Sequence, residues 1–263
     1  MPVSHASASA RVHGRRSARG HRLNWRPDLP DIRDHLFAEH NAVNASALPD
    51  RVDLRPKCPP VVDQGQIGSC TANALSGALG FLHGGPAAIP ASRLFVYYGE
   101  RAIEGDIRQD AGAEIRDGVK VLNKLGAPPE TDWPYAVAKF ASKPPKKAFT
   151  DALKQRVSTY QRITSHDERL QCLADGFPIV VGATLYEAFD SDEVAKTGIV
   201  NLPAKGEKPI GGHAFCVVGY DRPAARYICR NSWGDWGQAG YFTIPFAYLD
   251  DAALSDDHWT LRA

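Results

Sequence analysis

The sequence predicts an α+β protein of two lobes, helical in its first half and mostly β in its second. Three observations carry this. Between residues 71 and 125, apolar residues recur at three- and four-residue intervals in three segments. From residue 156 onward that period gives way to short runs rich in β-branched residues, each bounded by Gly, Pro or Asp. Between the two regimes, residues 127–150 hold five prolines and several lysines, which reads as a connection between lobes rather than a packed element. With 263 residues, 43% of them hydrophobic, the chain is long enough for a sizeable core.

In chain order, the segment before Asp28 carries Arg11, Arg15, Arg16, Arg19, Arg22 and Arg26 with no acid and no apolar period, the pattern of a solvated tail. "NWRPDLPDIRD" follows, and its prolines at 27 and 30 forbid a regular helix and favour an extended strap. The first helix starts near Thr71, with Ser69 as its N-cap and Cys70 in its first turn, and stops at Gly84-Gly85-Pro86. A second is expected from Ser92 to Ile103, and a third from Ala113 to Leu125 with Ile115, Val119 and Leu122 on one face. Strands are expected at 156–163, 178–185, 212–220, 226–232, 240–244 and 257–262, with a short helix at 166–175. The division is then a tail and strap at 1–47 and a body at 48–263, with a helical lobe over about 64–150 and a β lobe over about 151–263.

Several function classes drop out. A net charge of +1 gives no global field for nucleic acid or an anionic membrane. No stretch approaches the roughly 18 apolar residues of a membrane span. The five cysteines include no C-x-x-C pair, so neither a zinc knuckle nor a thioredoxin-like motif is present, and the spacing of His35, Glu39 and His40 does not suit a metal.

What remains is a nucleophile pattern. "QGQIGSC" sets Gln64 six residues before Cys70 on a compliant backbone. "GGHAFCVVGY" and "RYICRNSWG" read as a hairpin, and a turn centred on residue 222 sets His213 opposite Asn231, whose amide oxygen would fix one ring nitrogen and aim the other. Trp233 would cover the pair, while Cys216 and Cys229 fall on opposite faces, which disfavours a disulfide. A cysteine at a helix start, a histidine and an orienting amide form the triad logic of covalent catalysis.

In order and spacing, "QGQIGSC", "GGHAFCVVGY" and "NSWGDWGQAGYF" resemble the glutamine, cysteine, histidine and asparagine blocks of papain-like cysteine peptidases, across most of residues 48–263. The strap, "GSCTANA" and "SRLFVYYGERAIEG" look like the bacterial branch of that family. The resemblance implies a helical left lobe, an antiparallel β-barrel right lobe and an active-site cleft between them. Two positions depart from the common pattern. Ile67 stands where many members have cysteine, so one framework disulfide cannot form, and Thr71 stands where tryptophan is common.

The implied activity is a cysteine endopeptidase with Cys70 as thiolate nucleophile, His213 as acid and base, Asn231 as orienter, and Gln64 with the Cys70 N–H holding the oxyanion. Gly112 and Ala113 would offer backbone groups to an extended peptide, Gly182 and Ala214 would line the pocket for the second side chain before the scissile bond, and Trp233 would flank the site. No cofactor or metal is required. The expected partners are a peptide or protein substrate and the N-terminal segment itself as a cleft occluder in a zymogen. A membrane is not expected, nor is nucleic acid. Localisation is left open, between the cytoplasm and secretion without a classical signal. The rival readings are a cysteine amidase or acyltransferase using the same thiol, and a silent peptide-binding protein with a basic nucleic-acid-binding arm.

Overall fold

The computed structural model describes residues 15–263. Helix α1 (Cys70–Leu82) is the axis of the first lobe, and every residue from Cys70 to Gly80 is buried. Its small residues make that possible. A Cβ at Gly77 would meet the Arg230 guanidinium, and one at Gly80 the ring of Pro59. Helices α2 (Arg93–Glu104) and α3 (Ile115–Lys124) pack on α1. Ser92 caps α2, its hydroxyl accepting from Phe95 N at 3.2 Å, and Gly105 closes it at φ +81°. Ser69 stands before α1, but its hydroxyl does not cap the helix as expected. It meets the Tyr135 hydroxyl at 2.6 Å and accepts from Asn73 Nδ2 at 2.9 Å.

The proline-rich stretch is more than a connection. Within it, α4 (Lys146–Ala152) sets Ala148 and Ala152 against Phe95 and Trp133. Pro144 and Pro145 precede this helix, where a missing N–H costs nothing, so the prolines start it rather than forbid it.

Short strands β1 (Arg15–Arg16), β2 (Arg22–Leu23) and β3 (Arg51–Asp53) precede α1. The second lobe holds β4 (Thr159–Ile163), α5 (His166–Ala174), β5 (Ile179–Tyr186), β6 (Pro209–Asp221), β7 (Arg226–Arg230), β8 (Tyr241–Pro245) and β9 (Ser255–Arg262). The order is β4-β9-β5-β6-β7-β8, all antiparallel, with β3 joined to the far end of β6. This sheet is open, not the closed barrel expected. Leu36 bridges Arg162 on β4 and Ile199 bridges Thr243 on β8, so irregular segments engage both edges and the edge strands need not meet.

Strand β6 carries the sheet onto α1, where the Cys216 thiol donates to Ala74 O at 3.0 Å. The β6–β7 pairing joins Cys216 to Arg230 and Val217 to Cys229, then shifts at a bulge to join Gly219 to Ile228. His213 and Asn231 are therefore offset by two residues from the direct opposition that a turn at 222 predicts. An even offset keeps both side chains on one face. All five cysteines are free and buried.

The basic stretch is not a solvated tail over its described part. Strands β1 and β2 form a hairpin against the body, where Arg19 pairs with Asp192 at 2.6 Å, Arg22 with Asp110 at 3.0 Å, and Arg26 with Glu104. Arg11 and its neighbours to residue 14 lie outside the described residues. Further along, Asp28 anchors the strap. Its carboxylate accepts from Trp259 Nε1 at 2.9 Å and Arg116 N at 3.1 Å, while its own N–H donates to Asp257 at 2.7 Å. Arg116 grips Asp34 through two bonds of 2.9 and 2.7 Å.

Candidate active site

Cys70 is the first residue of α1, and the backbone N–H groups of Ala214 and Asn24 lie close enough to favour charge on its sulfur. Ala214 follows His213 on β6, so helix and sheet meet at the thiol. His213 is fully buried, and its Nε2 lies 2.8 Å from Asn231 Oδ1. That same oxygen accepts from Ser232 N at 2.8 Å. An oxygen that accepts from both neighbours requires the proton on Nε2, which leaves Nδ1 as the basic nitrogen, and Nδ1 has no partner. The Trp233 ring lies 4.8 Å from the imidazole, tilted 39°.

Gln64 is fully buried as well. Its Oε1 accepts from Ser232 Oγ at 2.8 Å, so the NH2 end is turned the other way, donating to Ile67 O and Arg22 O at 3.2 Å each. Tyr135 donates to Gln64 O at 2.8 Å while meeting Ser69 Oγ, and so holds the loop between Gln64 and the helix start. Neither Ser232 nor Tyr135 was singled out from the sequence. Ser232 was within reach of that reading, since a buried carboxamide needs a donor for its oxygen and Ser232 adjoins Asn231.

The strap crosses these groups. Trp25 N donates to Gly212 O at 3.0 Å and Arg26 N to Ala113 O at 3.1 Å, with bridges from Asn24 to Gly212 and from Trp25 to Ala113. A Cβ at Gly182 would collide with the Trp25 indole, and one at Gly112 with Asn24 O. Gly182, which lies under Trp25, pairs with Ala214 across β5 and β6. His21 stacks on Trp233 at 4.8 Å and 3°, and its Nε2 lies 3.1 Å from Asp63. Residues 21–26 of the same chain thus run past Gln64, Gly112, Ala113, Gly182 and Trp233 and close to Cys70, with His213 and Asn231 behind the Trp233 ring.

The electrostatics follow from that cover. Burial pushes the Cys70 thiol up to about 11, partly opposed by the Ala214 and Asn24 N–H groups. Burial also holds His213 down to about 4, against the Asn231 hydrogen bond, which favours the charged form. With the strap seated the pair is a neutral thiol and a neutral imidazole, not the expected thiolate and imidazolium, because the covering chain keeps water from both. Thr71 donates to Glu100 at 3.0 Å, and burial raises Glu100 well above the carboxylate range. A buried polar pair therefore stands at the position where tryptophan is common.

Residues 99–250, which include His213 and Asn231, match the family described as papain family cysteine protease. The chain belongs to that family. Xylellain, a cysteine protease from Xylella fastidiosa, superposes with a TM-score of 0.85 at 38% identity over 95% of this chain and 98% of that one. An uncharacterized peptidase C1-like protein of Acanthamoeba polyphaga mimivirus is 43% identical over 215 residues, 76% of this chain and 69% of its own length. A cathepsin B-like protein of Giardia intestinalis is 30% identical over 230 residues, 81% of this chain and 74% of its own length. As a papain-family cysteine protease the chain is a hydrolase of peptide or protein substrates. Among the described residues, no helix is long and apolar enough to cross a membrane.

Proposed function

We propose that this protease cleaves peptide bonds within chains through a thioester on Cys70, and that residues 1–47 hold it latent while residues 48–263 form the catalytic body. The observation that supports the reading is that the helix start at Cys70 meets β6 at Ala214, next to His213 with its unpartnered Nδ1, while one strap reaches both the Gln64 amide and the Cys70 sulfur.

Once the strap leaves, water and the α1 N-terminus stabilise a Cys70 thiolate, and Nδ1 of His213 takes the proton. Sulfur attacks the peptide carbonyl, and the C–S bond forms as the carbonyl electrons move to oxygen. Gln64 Nε2 and the Cys70 N–H hold that oxyanion, and removal of one such donor costs about 2.7 to 4 kcal/mol in the barrier. His213 returns its proton to the amide nitrogen as the C–N bond breaks. It then takes a proton from water, whose oxygen attacks the thioester carbon, and the C–S bond breaks to release the acid and the Cys70 thiolate beside the protonated imidazole. Asn231 keeps the ring aimed throughout.

Latency is supported by the occupant of the groove. Arg22 O accepts from the Gln64 amide, the Asn24 N–H lies beside the sulfur, and Trp25 fills the space over Gly182. The test is hydrolysis of fluorogenic peptides by the purified full chain carrying Trp25→Ala, which loosens the strap, beside the same chain with Cys70→Ala added. The variant should retain the fold and lose turnover, and equal rates would refute the assignment.

A further inference from the structure

We propose that Glu104 and Asp106 form a subsite for an arginine or lysine side chain of the substrate, next to the Gly182 pocket on the side away from Cys70. The inference rests on the peptidase reading and deepens it.

Successive strap residues read out successive receptors in the groove. Asn24 lies over the Cys70 sulfur, Trp25 over Gly182, and Arg26 reaches Glu104 and, at 3.8 Å, Asp106. Arg26 is held in place through its main chain as well, by its bond to Ala113 O. The strap runs N-to-C away from Cys70, opposite to a peptide cleaved after the residue over the thiol, so it is the seat of the guanidinium beside the Gly182 pocket, not the backbone bonds, that carries over to substrate.

The acids along the strap differ in what else they do. Asp110 accepts from Tyr97 at 2.6 Å and Gly68 N at 2.8 Å, and Asp63 accepts from Gly65 N at 2.7 Å, so both serve the body's own loops. Glu104 gives one oxygen to Glu114 N at 2.9 Å and the other to Arg26. Asp106 Oδ1 is buried without a partner, and its other oxygen faces Arg26. Among the described residues, Arg26 is the cation paired with either group. When the strap leaves, two shielded carboxylates remain with no cation of the body paired to them, an arrangement that favours recapture of a positive side chain over a neutral or acidic one. With Arg26 seated, burial lifts Glu104 to about 7, partly opposed by the Glu114 N–H and by Arg26 itself, so the test is run well above neutral pH.

The test uses the full chain with Trp25→Ala, which loosens the strap, and acetyl-Xaa-Phe-Ala-aminomethylcoumarin with Xaa Arg, Ala or Glu, at pH 8.5 and low salt. The family resemblance seats Phe over Gly182 and Xaa at the acidic subsite. We expect kcat/KM at least tenfold higher for Arg than for Glu. Adding Glu104→Gln and Asp106→Asn together should reduce that ratio below threefold. The single change Asp106→Asn, at a carboxylate with no bond inside the body, serves if the double variant does not fold. A ratio near one in the parent, or a ratio unchanged in the variants, overturns the subsite. Binding of fluorescein-labelled Arg-Phe-Ala and Glu-Phe-Ala amides to the same proteins separates the two ideas. Arg preference without hydrolysis keeps the subsite and overturns the peptidase reading, whereas equal binding overturns the subsite alone.

Discussion

Replacing Trp25 by alanine in the full chain asks directly whether the strap restrains the enzyme. Trp25 is 7% exposed, with its indole packed over Gly182. Truncating a buried aromatic costs about 3 to 5 kcal/mol. The indole N–H of Trp25 is buried without a partner, which already subtracts about 1 kcal/mol from what the side chain contributes. The remaining 2 to 4 kcal/mol, roughly, falls on the closed state, because the open strap leaves residue 25 in water. That shifts the open fraction by about 30- to 700-fold. Initial rates on a fluorogenic peptide should rise by up to that factor, levelling off when most molecules are open. Trp25→Phe, which refills much of the space, should fall between the two. A folded Trp25→Ala protein that turns over no faster than the parent would refute the latency argument.

Three other outcomes follow from the same geometry. Alkylation of Cys70 by iodoacetamide in the parent chain should be slow at neutral pH and climb only as pH approaches about 11, because the raised thiol leaves about a hundredfold less thiolate than the ordinary value of 9.0. Fast labelling at pH 7 in the closed form would contradict this. Ser232→Ala frees the Gln64 carboxamide to rotate and should lower kcat about tenfold with KM little changed, while Ser232→Thr retains much of the rate. A variant with full kcat would show that the 2.8 Å bond to Gln64 does not position the oxyanion donor. Asp28→Ala removes the acceptor shared by Trp259 Nε1 and Arg116 N, each such bond to a charged group being worth about 1.5 to 3 kcal/mol. Turnover of small peptides should rise at least about tenfold although residue 28 is remote from the thiol, and an unchanged rate would contradict the anchoring role.

The two-lobed α+β plan was legible in the chain because it rests on period. Apolar spacing placed α1, α2 and α3 within a few residues of their observed ends, and β-branched runs placed the main strands. The four catalytic candidates stand out in the chain because their chemistry and order are unusual together, and His213 does meet Asn231, although the hairpin arithmetic missed by two residues. A bulge and a later turn are set by local backbone fit, which alternation does not report. Closure of the sheet failed for a related reason. Edges satisfied by Leu36 and Ile199 depend on where irregular segments run, and no sequence period encodes that. Helix α4 was hidden by its flanking prolines. The arginines before Asp28 looked solvated because their counterions, Asp110, Asp192 and Glu104, lie far away in the chain. Ionisation of Cys70 was not legible either, since it depends on whether a distant segment covers the groove.

The most direct test of the catalytic account is the mass of the enzyme during turnover. Full-length Trp25→Ala protein mixed with a peptide thioester or ester and quenched in acid within milliseconds should carry one acyl group, mapped by peptide digestion to Cys70 and absent from Cys70→Ala. An adduct on another residue, or steady turnover in the Cys70→Ala background, would contradict it.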